Sequence, residues 1–162
     1  MSKMEKLLKI PYTVFNNDWD LLQQFLDRRG NPKYELVGDV NLNTRKDIFD
    51  LGNLVRVYGD LNLQSTSIQS LGALEYVGGY LRLTATPIQS LGNLEYVGGN
   101  LDLIGCQIKS LGNLVRVDGY LDLAFSSIQS LGNLQHVGRT IYLSDDHQIP
   151  KEQLTKFKID SW

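Results

Sequence analysis

Apolar residues recur at fixed positions every twenty residues through the middle of this chain. Units begin at Leu51, Leu71, Leu91, Leu111 and Leu131, and the third unit reads LGNLEYVGGNLDLIGCQIKS. The apolar positions of the second unit, which its neighbours repeat, are Leu71, Leu74, Val77, Leu81, Leu83 and Ile88. A short unit repeated in register predicts a solenoid, in which each coil buries its apolar face by stacking on its neighbours.

The segment Leu81, Arg82, Leu83 alternates apolar and polar residues, which is typical of a strand with one buried face. Because every coil runs the same way, one such strand per coil predicts a parallel sheet along one side of a rod. Arg82 and its counterparts then point outward. The preceding arc, LGNLEYV in the third unit, is too short for a long helix. We expect an irregular, turn-like or single-turn 3-10 backbone there.

An earlier, imperfect coil precedes the five regular units. The segment from Leu36 to Asn43 matches the segment from Val57 to Gln64, but at an offset of 21 residues instead of 20. The extra residue is expected in the turn at positions 44–47, because Ile48 again aligns with Ile68. The repeats therefore predict six coils, over residues 36–149.

Both flanks have the pattern of caps that cover the ends of the rod. Residues 1–35 contain an amphipathic segment, WDLLQQFLDRR, for which Asn17 or Asp18 is the predicted N-cap. Residues 150–162 contain a shorter amphipathic segment that starts after a proline and carries Leu154 and Phe157. We predict a helical cap at each end.

Glycine and asparagine recur at two corners of each unit. One glycine column follows the first leucine, as at Gly72, and a second precedes the strand, as at Gly99. Tight corners need positive φ angles or close chain approach, and glycine allows both. The asparagine column that includes Asn53 and Asn113 is expected to bond backbone groups of its own or adjacent coils.

The run SLGNLEYVGGNLDLIGCQIKS, at positions 90–110, resembles the short leucine-rich repeats of bacterial and bacteriophage proteins. The resemblance extends over about residues 36–149. Together, the repeats, the flanks and this resemblance predict a mainly β repeat solenoid: a six-coil, β-helix-like rod with a parallel sheet, an N-terminal helical cap and a short C-terminal helical cap. The resemblance also implies protein binding through the strand face and a bacterial or phage setting.

Composition and charge exclude several classes of partner. The formal charge of -2 and the absence of a long basic tract give no footprint for nucleic acid. No apolar run is long enough for a membrane span, and the first residues lack the pattern of a signal peptide. Cys106 is the only cysteine, which fits a reducing compartment. We therefore expect a cytoplasmic protein, and the repeat resemblance implies a bacterial cell or phage-infected host as its setting.

Residues capable of catalysis are scarce. The amino-acid sequence contains no motif of a catalytic nucleophile, a phosphate-binding loop or a zinc site. We therefore predict no cofactor and no metal. The strongest cluster for a divalent ion is Asp145, Asp146 and His147, for which a solvated turn is the favoured interpretation. Cys106 stands in a column of small residues, so we expect a buried, unreactive thiol.

The outward positions of the predicted strands vary while the inward ones stay constant. Tyrosine and arginine, the residue types that often dominate binding energy, occur among them. The predicted protein-binding residues, which we call the strand face, are Tyr80, Arg82, Asp102, Tyr120, Asp122, Phe125 and Tyr142. A tyrosine ladder that only covers the sheet is the alternative. A second candidate surface on the opposite arc consists of Arg56, Tyr76, Tyr96, Arg116 and His136.

These observations favour a non-enzymatic module that binds a protein partner and exists as a monomer or weak oligomer. Two alternatives remain open. The rod could instead be a structural or assembly component of a phage particle that self-associates. The remote alternative is a metal-dependent enzyme that uses the cluster from Asp145 to His147.

Overall fold

The computed structural model describes residues 6–161 and shows a β-solenoid of about six coils with parallel sheets. The predicted caps also include residues 1–5 and Trp162, which lie outside the described residues. The elements in chain order are β1 (Leu8–Pro11), a 3-10 helix (Tyr12–Phe15), α1 (Trp19–Asp27), β2 (Tyr34–Val37), β3 (Val40–Asn41), β4 (Leu54–Val57), β5 (Leu61–Asn62), β6 (Tyr76–Val77), β7 (Leu81–Arg82), β8 (Tyr96–Val97), β9 (Leu101–Asp102), β10 (Arg116–Val117), β11 (Leu121–Asp122), β12 (His136–Val137), β13 (Thr140–Leu143), α2 (Lys151–Leu154) and β14 (Lys158–Ser161).

The predicted parallel sheet is present, and we call it sheet B. Its order is β3, β5, β7, β9, β11, β13 and β14. Leu81 pairs with Leu101 and Arg82 pairs with Asp102, so the twenty-residue period of the sequence is also the register of the sheet. Leucines at the inward positions are fully buried, and the residues that alternate with them face outward.

The opposite arc begins with a turn, as predicted, but it then forms strands of a second sheet, so the prediction of an irregular or 3-10 backbone throughout the arc is wrong. Sheet A has the order β1, β2, β4, β6, β8, β10 and β12. Most of its strands contain only two residues, such as Tyr76 and Val77, with valine inward and the other residue outward. Pairing with the neighbouring coils extends them: the Gly78 N–H donates to the Val57 carbonyl at 2.8 Å, and the Gly98 N–H donates to the Val77 carbonyl at 2.8 Å.

The extra residue of the first coil lies where the sequence predicts it. Val40 pairs with Leu61 at an offset of 21, whereas the bridge from Asp50 to Ser70 is at an offset of 20. Thr44, at the start of this turn, has a φ of 65°. A second irregularity, which the sequence did not reveal, is a bulge where β2 pairs with β4, and it places the extra residue Val55 inside the first regular unit.

The N-terminal cap contains the predicted helix and one additional strand. Asp18 caps α1, because its Oδ1 accepts the Leu21 N–H at 3.0 Å. Leu22 and Leu26 are buried against the first coil. The Arg45 guanidinium joins this cap to the turn of the first coil through an ion pair with Asp20 at 2.8 Å. Sequence reasoning missed β1, which extends sheet A by one parallel strand.

The C-terminal cap is only partly helical. α2 has four residues, and none of them is buried. Leu154 and Phe157 pack against the core as partly buried residues, as expected. The chain then forms β14, which pairs in parallel with β13 and places Lys158 beside Thr140. Among residues 6–161, no helix has the length and apolar character needed to cross a membrane.

The two glycine columns differ in backbone conformation. Glycines of the first column have positive φ, with 58° at Gly72, where a Cβ would also clash with the Gly52 carbonyl oxygen. At the second column the coils approach each other closely: a Cβ on Gly99 would lie 2.8 Å from the carbonyl carbon of Gly79. Two members of the asparagine column bond the preceding backbone as expected: the Asn113 side-chain amide donates to the Gly92 carbonyl at 3.1 Å, and that of Asn53 donates to the Asn31 carbonyl at 2.6 Å.

Candidate interaction face on sheet B

Most outward residues in the column that contains Asp102 end their strand with an Asx turn. Asp102 Oδ1 accepts the Ile104 N–H at 3.1 Å, and Asp122 Oδ1 accepts the Ala124 N–H at 3.0 Å. Asn41 and Asn62 make the equivalent bonds in the first two coils. One carboxylate oxygen of each aspartate therefore has a structural role, for which asparagine serves equally well.

Six of the seven predicted residues line one depression of about 450 Å³ on sheet B. We call it the central depression, and its lining residues are Tyr80, Arg82, Asn100, Leu101, Asp102, Tyr120, Asp122 and Tyr142. The residues come from successive coils at matching positions, so the parallel register alone brings them together. Phe125 lies outside this lining.

Two aspartates occupy the middle of the central depression. Asp102 and Asp122 are direct register partners in adjacent strands. Burial raises the pKa of the Asp122 carboxyl, with a further upward contribution from the negative charge of Asp102, while the bond from the Ala124 N–H acts in the opposite direction. Asp102 also accepts a bond of 2.7 Å from the Thr84 hydroxyl. These carboxylates are therefore held in place before any ligand arrives.

Aromatic rings border the depression on both sides and are themselves held by polar contacts. The Arg82 guanidinium lies 5.1 Å from the centre of the Tyr80 ring. The Asp60 carboxylate, which accepts the Tyr80 backbone N–H at 2.9 Å, raises the pKa of the Tyr80 hydroxyl. On the other side, the rings of Tyr120 and Tyr142 are 5.6 Å apart and tilted by 40°. Side chains ordered in this way lose less entropy on binding.

Phe125 is anomalous in its backbone as well as in its side chain. It has a φ of 56°, in a column where Ser65, Ala85 and Gly105 also have positive φ. Its side chain is 75% exposed, the highest value among the large apolar residues at positions 6–161. A bulky residue in the left-handed region is strained, and exposure of the ring provides no compensating burial. The strained backbone at Phe125 therefore lowers the stability of the fold, and the exposed ring does not offset this loss by burying apolar surface.

We expect Phe125→Gly to raise the free energy of unfolding by about 0.5 kcal/mol. Relief of the left-handed strain, of about 1 kcal/mol or more, outweighs the added flexibility of the unfolded chain. Denaturation in urea, followed by circular dichroism, measures the change. Gly105→Phe is the matched reverse substitution and should destabilise the protein. A clear loss of stability in Phe125→Gly would show that the ring contributes to the fold.

The continuous tyrosine ladder is on sheet A and not on the strand face. Tyr76 and Tyr96 stack at 4.8 Å with an interplanar angle of 13°, and Tyr58 packs on Tyr76 at 5.7 Å. Tyr96 donates to Asp118 Oδ2 at 2.6 Å, and Arg116 donates to Asp118 Oδ1 at 2.6 Å. The second candidate surface therefore satisfies most of its polar and aromatic groups internally, which makes it the weaker candidate.

The residues considered for chemistry do not converge. Within the described part of the chain, no group of three or more His, Cys, Asp or Glu side chains is placed to hold a metal ion. His147 Nδ1 accepts the Ile149 N–H at 3.2 Å, as a side chain in a turn does. Cys106 is fully buried, its Sγ donates to the Leu83 carbonyl at 3.0 Å, and burial raises its pKa.

Comparison with known proteins provides no further assignment. No protein-family model, curated protein or solved structure matches this chain.

Proposed function

We propose that this protein is a non-enzymatic interaction module that binds a protein partner through the strand face. The observation that carries the proposal is the central depression, where aromatic, arginine and aspartate side chains from four coils line one cavity. Tyrosine and arginine supply much of the binding energy in protein interfaces, and buried or half-buried carboxylates supply specificity. The resemblance of the repeats to short leucine-rich repeats supports the same function.

Rigidity is the second support for this proposal. Each strand of sheet B is hydrogen-bonded to its neighbours, as in the bond of 2.9 Å from the Leu83 N–H to the Asp102 carbonyl. The core beneath is continuous from the first coil to the last. A surface that is already ordered loses little conformational entropy when a partner binds. A few anchoring side chains are therefore sufficient for affinity.

The proposal is tested by replacing Tyr80, Arg82 and Tyr120 together with alanine. We expect the affinity for a partner captured by the wild-type protein to fall about thirtyfold or more, because these side chains are the anchors of the face. Surface plasmon resonance against the purified partner measures the change. The matched control is Glu75→Ala with Glu95→Ala on the opposite arc, which should bind normally.

Equal affinity of the alanine triple variant and the wild-type protein would contradict the choice of face. Loss of binding in the control but not in the triple variant would show that the partner binds sheet A instead.

We further propose a cytoplasmic setting in a bacterial cell or phage-infected host, on the support of the repeat resemblance and the single cysteine.

A structural role in a phage assembly is the second candidate, and the end of sheet B favours it. Within residues 6–161, β14 pairs on one side only, and Lys158, Asp160 and Ser161 are exposed there. A free strand edge can pair with another chain. Light scattering over a range of protein concentrations would show oligomers if this role were correct. A monomer at all concentrations would exclude self-association through this edge.

A further inference from the structure

A second depression, of about 380 Å³, adjoins the central one at the C-terminal end of the rod. We call it the terminal depression. Its lining residues are Tyr120, Val137, Gly138, Arg139, Thr140, Lys156, Phe157 and Lys158. Tyr120 lines both depressions, so the two are neighbours on the surface. Among the described residues, three cationic side chains and no acidic one line the terminal depression.

Three separate elements bring these cations together. Arg139 directly precedes β13, Lys156 follows α2, and Lys158 begins β14. Pairing of β14 with β13 places Lys158 beside Thr140, next to Arg139. The cluster therefore depends on how the C-terminal cap folds back onto the last coil.

Aromatic rings hold two of the cations in position. The Arg139 guanidinium lies 5.1 Å from the centre of the Tyr120 ring, and its Nη1 donates to the Tyr120 hydroxyl at 3.2 Å. Lys156 Nζ lies 5.2 Å from the centre of the Phe157 ring. Such cation–π contacts orient a cationic group without neutralising it.

The positive charge of the terminal depression is not compensated internally. Among the described residues, no carboxylate lies within 4.0 Å of the cationic nitrogens of Arg139, Lys156 or Lys158. Asp160 lies two residues beyond Lys158 in the same strand but does not line the depression. The whole chain has a formal charge of -2, so this cluster is a positively charged patch on a protein whose net charge is negative. Electrostatic complementarity then favours an anionic ligand.

We infer that the terminal depression binds an acidic segment of the protein partner, one that carries aspartate or glutamate side chains. This inference rests on the proposed function, because the acidic segment would occupy the terminal depression while another part of the same partner contacts the strand face. Arginine and lysine donate charge-assisted hydrogen bonds to carboxylates. Three cations in a single small depression fit a short run of carboxylates better than a nucleic acid backbone, which needs a longer basic tract.

The test uses the full chain and a peptide of six glutamates as the probe, with binding measured by isothermal titration at low salt. Replacing Arg139, Lys156 and Lys158 together with glutamine should weaken binding about tenfold. The charge-conserving variant Arg139→Lys, Lys156→Arg, Lys158→Arg should keep most of the affinity. The matched control neutralises three exposed cations elsewhere, namely Arg28, Lys33 and Lys109.

Equal weakening of peptide binding in the glutamine variant and in the matched control would overturn the inference. Binding would then depend on the net charge of the protein and not on where the cations lie. No detectable binding of the peptide would also overturn it. So would equal or tighter binding of inorganic phosphate or of a single-stranded oligonucleotide at the same ionic strength. A natural partner that requires Tyr80, Arg82 and Tyr120 but binds the glutamine variant normally would overturn this inference alone and leave the proposed function intact.

Discussion

Gly99→Ala is expected to lower the free energy of unfolding by about 3 kcal/mol, the upper end of the usual cost of overpacking. The new Cβ would lie 2.8 Å from the Gly79 carbonyl carbon and 2.8 Å from the Tyr80 nitrogen. Both are main-chain atoms of the preceding coil, so no side chain can move aside to relieve the contact. The adjacent coils would have to separate, which weakens the hydrogen bonds between their strands.

The matched control is Gly112→Ala, in the other glycine column. Gly112 has a φ of 54°, and a Cβ there would meet nothing within 4 Å. Its substitution carries only the backbone strain of a left-handed alanine, about 1 kcal/mol. Urea denaturation followed by circular dichroism compares the two variants. Similar losses in both would show that the coils can adjust their spacing, contrary to the geometry of the second glycine column.

The solenoid and sheet B could be predicted because each repeat carries their signal several times. Inward leucines at Leu81 and Leu101 and the outward residues after them share one register. Sheet A could not be predicted in the same way. A strand as short as Tyr76–Val77 contains one inward and one outward residue, which is too short for alternation to be recognised. Its identity as a strand comes from pairing with the next coil, and pairing is a property of the stack.

The caps at the ends of the rod could also be predicted from the sequence only in part. Amphipathic spacing was sufficient to predict α1 and to limit its N-cap to Asn17 or Asp18, of which the structure shows Asp18 to be the cap. It gave no indication that Leu8–Pro11 and Lys158–Ser161 would become terminal strands of the two sheets. Neither segment repeats a unit of the sequence, so no internal comparison could reveal its partner. Each forms a strand because it pairs with the coil at its own end of the rod, and it then becomes the outer strand of that sheet.

The candidate site was predictable to the extent that the register determines it. Variation at outward positions indicated the residues of the central depression, and parallel pairing brought them together. The Asx turns of Asp102 and Asp122 were missed, although asparagine at Asn62 in the same column was a usable signal. The terminal depression was missed for a physical reason. Its cations belong to segments without repeats, so only the folded cap shows that they are neighbours.

Stability in a solenoid is expected to depend on how many neighbours a coil has. Leu94 and Leu134 occupy the same inward column, at 0% and 5% exposure. Leu94 belongs to a coil that packs between two others, whereas Leu134 belongs to the last coil, which the short C-terminal cap covers. Equal substitutions at the two sites therefore test whether the cap packs as a full coil would.

Leu94→Ala is expected to lower the free energy of unfolding by about 4 kcal/mol, because the cavity would be enclosed by coils on both sides and could not collapse. Leu134→Ala should cost about 2 kcal/mol, since the terminal coil can relax around the smaller side chain. Urea denaturation measures both, and native-state hydrogen exchange shows whether the loss spreads beyond the last coil. Equal losses at the two positions would mean that α2 and β14 close the rod as firmly as another repeat, which contradicts the expected gradient of stability along the solenoid.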